Sequence, residues 1–80
     1  MHYIATFFSH FGAIRFKKEM KDIINPALRP VPRALSSSCG TCVRFEATDD
    51  FGAGQTGVPE EVEQIAKESA DGYEIIYRAE

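Results

Sequence analysis

The chain opens on "HYIATFF", where Tyr3, Ala5 and Phe7 alternate with Ile4, Thr6 and Phe8 in the two-residue period of a strand. Ser9 then offers a helix N-cap, and Ala13, Phe16, Met20 and Ile23 or Ile24 recur at helical spacing while Arg15, Lys18, Glu19 and Asp22 fall elsewhere. Asn25 and Pro26 end that helix. "ALRPVPR" looks short and extended, but Pro30 and Pro32 cannot donate to a ladder, so this strand is expected at a sheet edge. "TCVRFE" alternates Thr41, Val43 and Phe45 with Cys42, Arg44 and Glu46 and reads as a half-buried strand. Residues 47–58 hold three glycines and no periodicity, the pattern of a flexible loop. Pro59 suits the first position of a second helix, with Glu60, Glu61 and Glu63 at its positive end. Its buried stripe would be Val62, Ile65, Ala66 and Ser69, and Gly72 would stop it. "YEIIYR" closes the chain as a strand.

The resulting order, β-α-β-β-α-β, is that of a ferredoxin-like α+β sandwich. Right-handed crossovers predict a four-stranded antiparallel sheet in the order 4-1-3-2 with two helices on one face, spanning residues 1–80 as a single domain. In that topology the loop between strands 2 and 3 lies at the same end as the start of the first helix. Cys39 is therefore expected near Ser9 and His10, and residues 47–58 at the opposite end.

Charge divides along the chain. Residues 1–45 carry seven basic against two acidic residues, whereas residues 46–80 carry two basic against ten acidic, within a net charge of −3. Such asymmetry suits an anionic ligand or an oppositely charged partner. The early apolar run has no basic region before it, and no run approaches the roughly 20 residues of a membrane span, so a cytoplasmic protein without a membrane partner is expected. There is no phosphate loop, acid-base carboxylate pair or RNA-binding aromatic motif, so neither nucleic acid nor a bound cofactor is expected.

The chemistry-bearing stretch is "PRALSSSCGTCVRFE", residues 32–46, which holds the two cysteines of the chain, Cys39 and Cys42, between Arg33 and Arg44. In a reducing compartment a close cysteine pair points to catalysis or metal binding before a structural disulfide. A closed zinc site needs four ligands, and Cys39, Cys42, His2 and His10 are the candidates, with His2 expected near the far end of strand 1. A site shared in a homodimer is the remaining zinc arrangement. Redox CxxC proteins place the pair at a strand-to-helix turn, whereas here the second cysteine enters a strand.

Covalent carriage fits the loop better. A thiolate there can accept sulfur or selenium as a persulfide or selenosulfide and yield it to a second thiol. Cys39 is the candidate carrier, with a helix N-terminus and nearby arginines favouring its thiolate, and Cys42 is the candidate resolving thiol. Hydroxyls of Ser36, Ser37 and Ser38 and the Gly40 amide would hydrogen-bond the terminal chalcogen, and His10 would assist proton transfer. An interaction or oligomerisation module with incidental thiols, using an open sheet face, is the reading from another class.

The segments "YIATFFSHFGAIRFKKEMK" and "LRPVPRALSSSCGTCVRF", with the closing region, resemble the selenium/sulfur (Se/S) carrier protein-like family over most of the chain. "PVPR" and "SSSCG" are the specific elements. The resemblance implies a link to selenium or sulfur metabolism and marks Arg33, Ser38, Cys39 and Gly40 as motif positions. A cysteine desulfurase-like donor and a sulfur or selenium acceptor protein are the partners expected. The "FGAGQTG" region lengthens the connection after Phe45 beyond the family pattern.

Overall fold

A computed structural model describes residues 1–20, 23–35, 39–48, 51 and 60–79. Its elements are β1 (His2–Phe7), α1 (His10–Glu19), β2 (Ile24–Pro30), β3 (Thr41–Glu46), β4 (Val62–Ser69) and β5 (Gly72–Arg78). They form a five-stranded sheet in the order β2-β3-β1-β4-β5, every neighbouring pair antiparallel. The α+β class holds, but the expected four strands and two helices do not.

The difference lies in residues 60–71. Instead of a second helix, Val62–Ser69 is a strand paired with β1 on one side and β5 on the other. Ile65 enters the core on the helix side while Ala66 enters the one on the opposite side. A strand buried on both faces places apolar residues next to each other, and such a pair imitates helical spacing. Gly72 does not cap a helix either. With φ of +136° it closes a hairpin around the two-residue loop Ala70–Asp71, opposite Ser69, whose hydroxyl donates to the Gly72 carbonyl at 3.2 Å.

β1 is the axis of the sheet. Tyr3, Ala5 and Phe7 face α1 and join Phe16, Val43, Phe45 and Ile65 in the larger core. An aromatic chain runs through it, from Phe7 to Phe16 at 5.2 Å, Phe16 to Phe45 at 5.5 Å and Phe45 to Tyr3 at 5.6 Å between ring centroids. Phe51 tilts onto both Tyr3 and Phe45 at 5.1 Å. Ala47 and Phe51 are buried, so this part of the expected flexible loop is anchored, and the Tyr3 hydroxyl donates to the Thr48 carbonyl at 2.8 Å. Residues 49, 50 and 52–58 of that loop lie outside the described residues.

Ser9 caps α1 as its sequence suggests, its hydroxyl accepting from the Gly12 amide at 3.1 Å. Gly12 is buried because the helix start presses onto the segment before β4, where a Cβ at Gly12 would collide with that of Glu61. The helix ends at Glu19, earlier than the apolar spacing predicts, and Met20 and Ile23 pack on the core from beyond it. β2 correspondingly starts at Ile24. Its first residues form a bulge, with Asn25 at φ +50° and its amide donating to Glu46 at 3.3 Å. That bulge, Pro26 and Pro30 blunt the β2 edge.

On the face away from α1, Ile4, Cys42, Ala66 and Leu35 form a second, smaller cluster, with Val31 and Tyr73 against it. Thr6 also points to this face, fully buried, and its hydroxyl has no hydrogen-bond partner among the described residues. A buried orphan hydroxyl costs stability. Replacing it by a methyl of the same shape, Thr6→Val, is expected to stabilise the fold by about 1 kcal/mol and raise Tm by about 4–8 °C. A thermal melt by circular dichroism checks this; an unchanged or lower Tm would show that the hydroxyl is engaged.

Candidate functional site

Cys39 and Cys42 are both thiols outside any disulfide, and the sheet separates them. Cys39 sits just before β3, half-buried against the helix-side core. Cys42, three residues on, is fully buried in the cluster on the other face. The alternation of Thr41, Val43 and Phe45 against Cys42, Arg44 and Glu46 therefore holds, and it assigns the two thiols to different environments.

Gly40 makes the entry to β3. Its φ of +75° is the left-handed region, its carbonyl accepts from the Val31 amide at 3.1 Å, and nothing would crowd a side chain there. Backbone conformation, and not close approach, requires glycine at this point. The Cys39 thiol donates to the Thr41 carbonyl at 3.4 Å. Thr41 in turn meets His10 at the start of α1, hydroxyl oxygen to Nδ1 at 3.2 Å. The start of α1 and the strand that follows Cys39 are thereby joined at one end of the molecule, as the topology requires.

The Cys42 thiol has a different setting. It donates to the Pro30 carbonyl at 3.6 Å, lies in register with Arg29 on β2 and Thr6 on β1, and is covered by Leu35. Burial pushes this thiol up to about 11, with the neighbouring Cys39 adding to the rise and Arg29 opposing it. A buried thiol holding its proton is a poor nucleophile.

The other sequence candidates are dispersed. Arg33 is exposed in the turn closed by the Leu35 amide on the Pro32 carbonyl at 3.0 Å. Arg44 lies on the face away from α1, where its guanidinium grips Glu68 through Nε at 2.7 Å and Nη2 at 3.4 Å. That pairing holds its proton more firmly than usual. Ser36, Ser37 and Ser38 lie outside the described residues. The zinc candidates are not brought together: His2 faces Glu46 at 3.9 Å, His10 faces Thr41, and the thiols are on opposite faces. Among the described residues, no three His, Cys, Asp or Glu side chains converge as metal ligands. No described helix is long and apolar enough to cross a membrane.

Two residues beside Cys42 escaped the sequence reading. Arg29 and Thr6 flank it through strand register, which only pairing reveals.

The geometry defines a small α+β domain that presents one half-exposed loop thiol and buries the other. The comparison with protein families gives the more particular assignment. Residues 2–78 match the family described as "Putative Se/S carrier protein-like", and the chain belongs to that family. No curated protein and no solved structure matches it.

The raised Cys42 value has a measurable consequence. The folded state holds this proton more tightly than the unfolded chain, whose ordinary value is 9.0, so the stabilisation is complete below pH 9. It is lost as pH rises from 9 to 11, by roughly 3 kcal/mol in all. Denaturant titrations of the wild type and Cys42→Ala across this range are expected to show their stability difference shrinking accordingly. Native-state alkylation at pH 8 should label Cys39 and spare Cys42. Equal labelling of both thiols, or a pH-independent difference, would contradict the burial of Cys42.

Proposed function

We propose that the protein is a sulfur or selenium carrier in which Cys39 alone holds the transferred atom. The observation that carries this reading is the division of the CxxC pair by the sheet. Cys39 has solvent access at the rim, and Cys42 lies under Leu35 with its proton retained. Family membership supports chalcogen carriage as the activity.

In loading, the Cys39 thiolate attacks the terminal sulfur of a donor persulfide. The new S–S bond forms as the donor's S–S bond breaks, leaving Cys39 persulfide and the donor thiolate, with no net oxidation. A selenosulfide donor delivers selenium in the same way. Unloading is the reverse step onto an acceptor's thiolate. Cys42 does not resolve the adduct in this arrangement, because it faces the other side of the sheet and is protonated. The partners are a cysteine desulfurase-like donor and a thiol-bearing acceptor protein. Arg33, the Gly40 amide and the serine hydroxyls at 36–38 are the groups nearest in sequence to stabilise a terminal anionic chalcogen.

Intact-mass spectrometry after incubation with a desulfurase and cysteine or selenocysteine tests the reading. The expected result is a reducible gain of one sulfur or selenium atom, abolished in Cys39→Ser and retained in Cys42→Ala. Retention of the adduct in Cys39→Ser, or its loss in a folded Cys42→Ala, would overturn the single-thiol assignment.

A further inference from the structure

The sheet face away from α1 carries two neighbouring rows of opposite character. Strand register sets Ile4, Ala66 and Ile75 side by side across β1, β4 and β5, an apolar row. Two residues along β4, the next row is Thr6, Gln64 and Arg78, all polar. The rows lie about 7 Å apart, at about 3.4 Å per residue. Thr6 is fully buried and Gln64 is 6 % exposed. Burying a hydroxyl and a carboxamide costs stability unless each finds a partner, so a surface needed only for packing would repeat the apolar row.

A cleft of about 190 Å³ takes its lining from both rows. Gln64, Arg78, Ile75 and Tyr73 come from the sheet, and Ala34 and Leu35 come from the segment that packs on this face. Arg78 is exposed and, unlike Arg15 and Arg44, makes no ion pair among the described residues. The cleft therefore joins an uncommitted guanidinium and a buried carboxamide to an apolar wall. A second cleft shares Gln64 and Arg78 but adds Glu63, so an anion is better placed in the first. Cys39 packs on the helix side of the sheet and takes no part in either.

We infer that the cleft between Leu35 and β5 binds a small monocarboxylate with a short aliphatic chain. The planar guanidinium of Arg78 matches a carboxylate with two parallel hydrogen bonds, and the Gln64 carboxamide fixes the direction of entry. The chain of the ligand then lies over the apolar row, between Ile75 and Leu35. One cation with no second basic residue in the lining suits a single negative charge better than a phosphate dianion. A water-sized group fills about 30 Å³, so the cleft holds about six heavy atoms, the size of butyrate. The inference is independent of the carrier reading.

The experiment titrates the full chain with butyrate and follows the backbone amides by NMR. Saturable shifts are expected at residues 34–35, 64 and 73–78, with a dissociation constant in about the millimolar range, the scale for so few atoms and one charge. Butyramide, which keeps the shape and lacks the charge, should bind about tenfold more weakly. Arg78→Gln should weaken butyrate by a similar factor at unchanged Tm, because the side chain is exposed. Acetate, without the chain, should bind several-fold more weakly than butyrate. The inference is overturned if these residues show no saturable shift, if butyramide equals butyrate, or if Arg78→Gln binds butyrate normally. Inorganic phosphate binding as tightly as butyrate overturns it too, because Arg78 would then attract any anion. None of these outcomes bears on the loading of Cys39.

Discussion

The structure depends on the burial of β1 on both faces and its pairing on both edges. Tyr3, Ile4, Ala5, Thr6 and Phe7 are all buried, and β3 and β4 occupy the two hydrogen-bonding edges. Backbone groups at such a position must find ladder partners, since no water reaches them. The requirement can be met on the β4 side only by a strand. Residues 62–69 fill that place in the structure, so the closing strand β5 pairs with β4 instead of with β1, and its Tyr77 and Tyr73 pack against the two cores.

The same strand decides the chemistry of the cysteines. Because side chains alternate across a sheet, a residue entering β3 out of phase with the helix side must face the other cluster. Cys42 does so, opposite Thr6, while Cys39 remains in the irregular segment before the strand and packs on the helix side. A spacing that in a loop-to-helix turn would bring two thiols together here keeps them apart. The result is an asymmetric pair, one thiol buried within the sheet and one half-exposed before β3.

Charge follows the three-dimensional arrangement more than the sequence division. The basic first half and acidic second half interleave, so that Arg15 meets Glu61 and Arg44 meets Glu68 across the fold. These exposed or half-exposed pairs contribute little to stability, because water screens the charges and two long side chains must be ordered to bring them together. Their larger effect is to engage Arg15 and Arg44, so that neither guanidinium is left to bind an anionic ligand.

What the sequence determined by itself was local. Ser9 and its helix, the two-residue alternation of β1 and β3, the proline-marked edge strand and the thiol loop were all legible from caps, periodicity and the restrictions of proline. Cys39 as the accessible thiol followed from its place in a serine and glycine turn. The tertiary structure alone decided the fate of residues 60–71, because neighbouring apolar residues such as Ile65 and Ala66 satisfy a helix stripe and a doubly buried strand equally well. It also decided that Cys42 would be shielded and Arg44 occupied, since strand register and cross-sheet pairing bring together residues far apart in the chain, and a short-range pattern carries no record of which strand lies alongside.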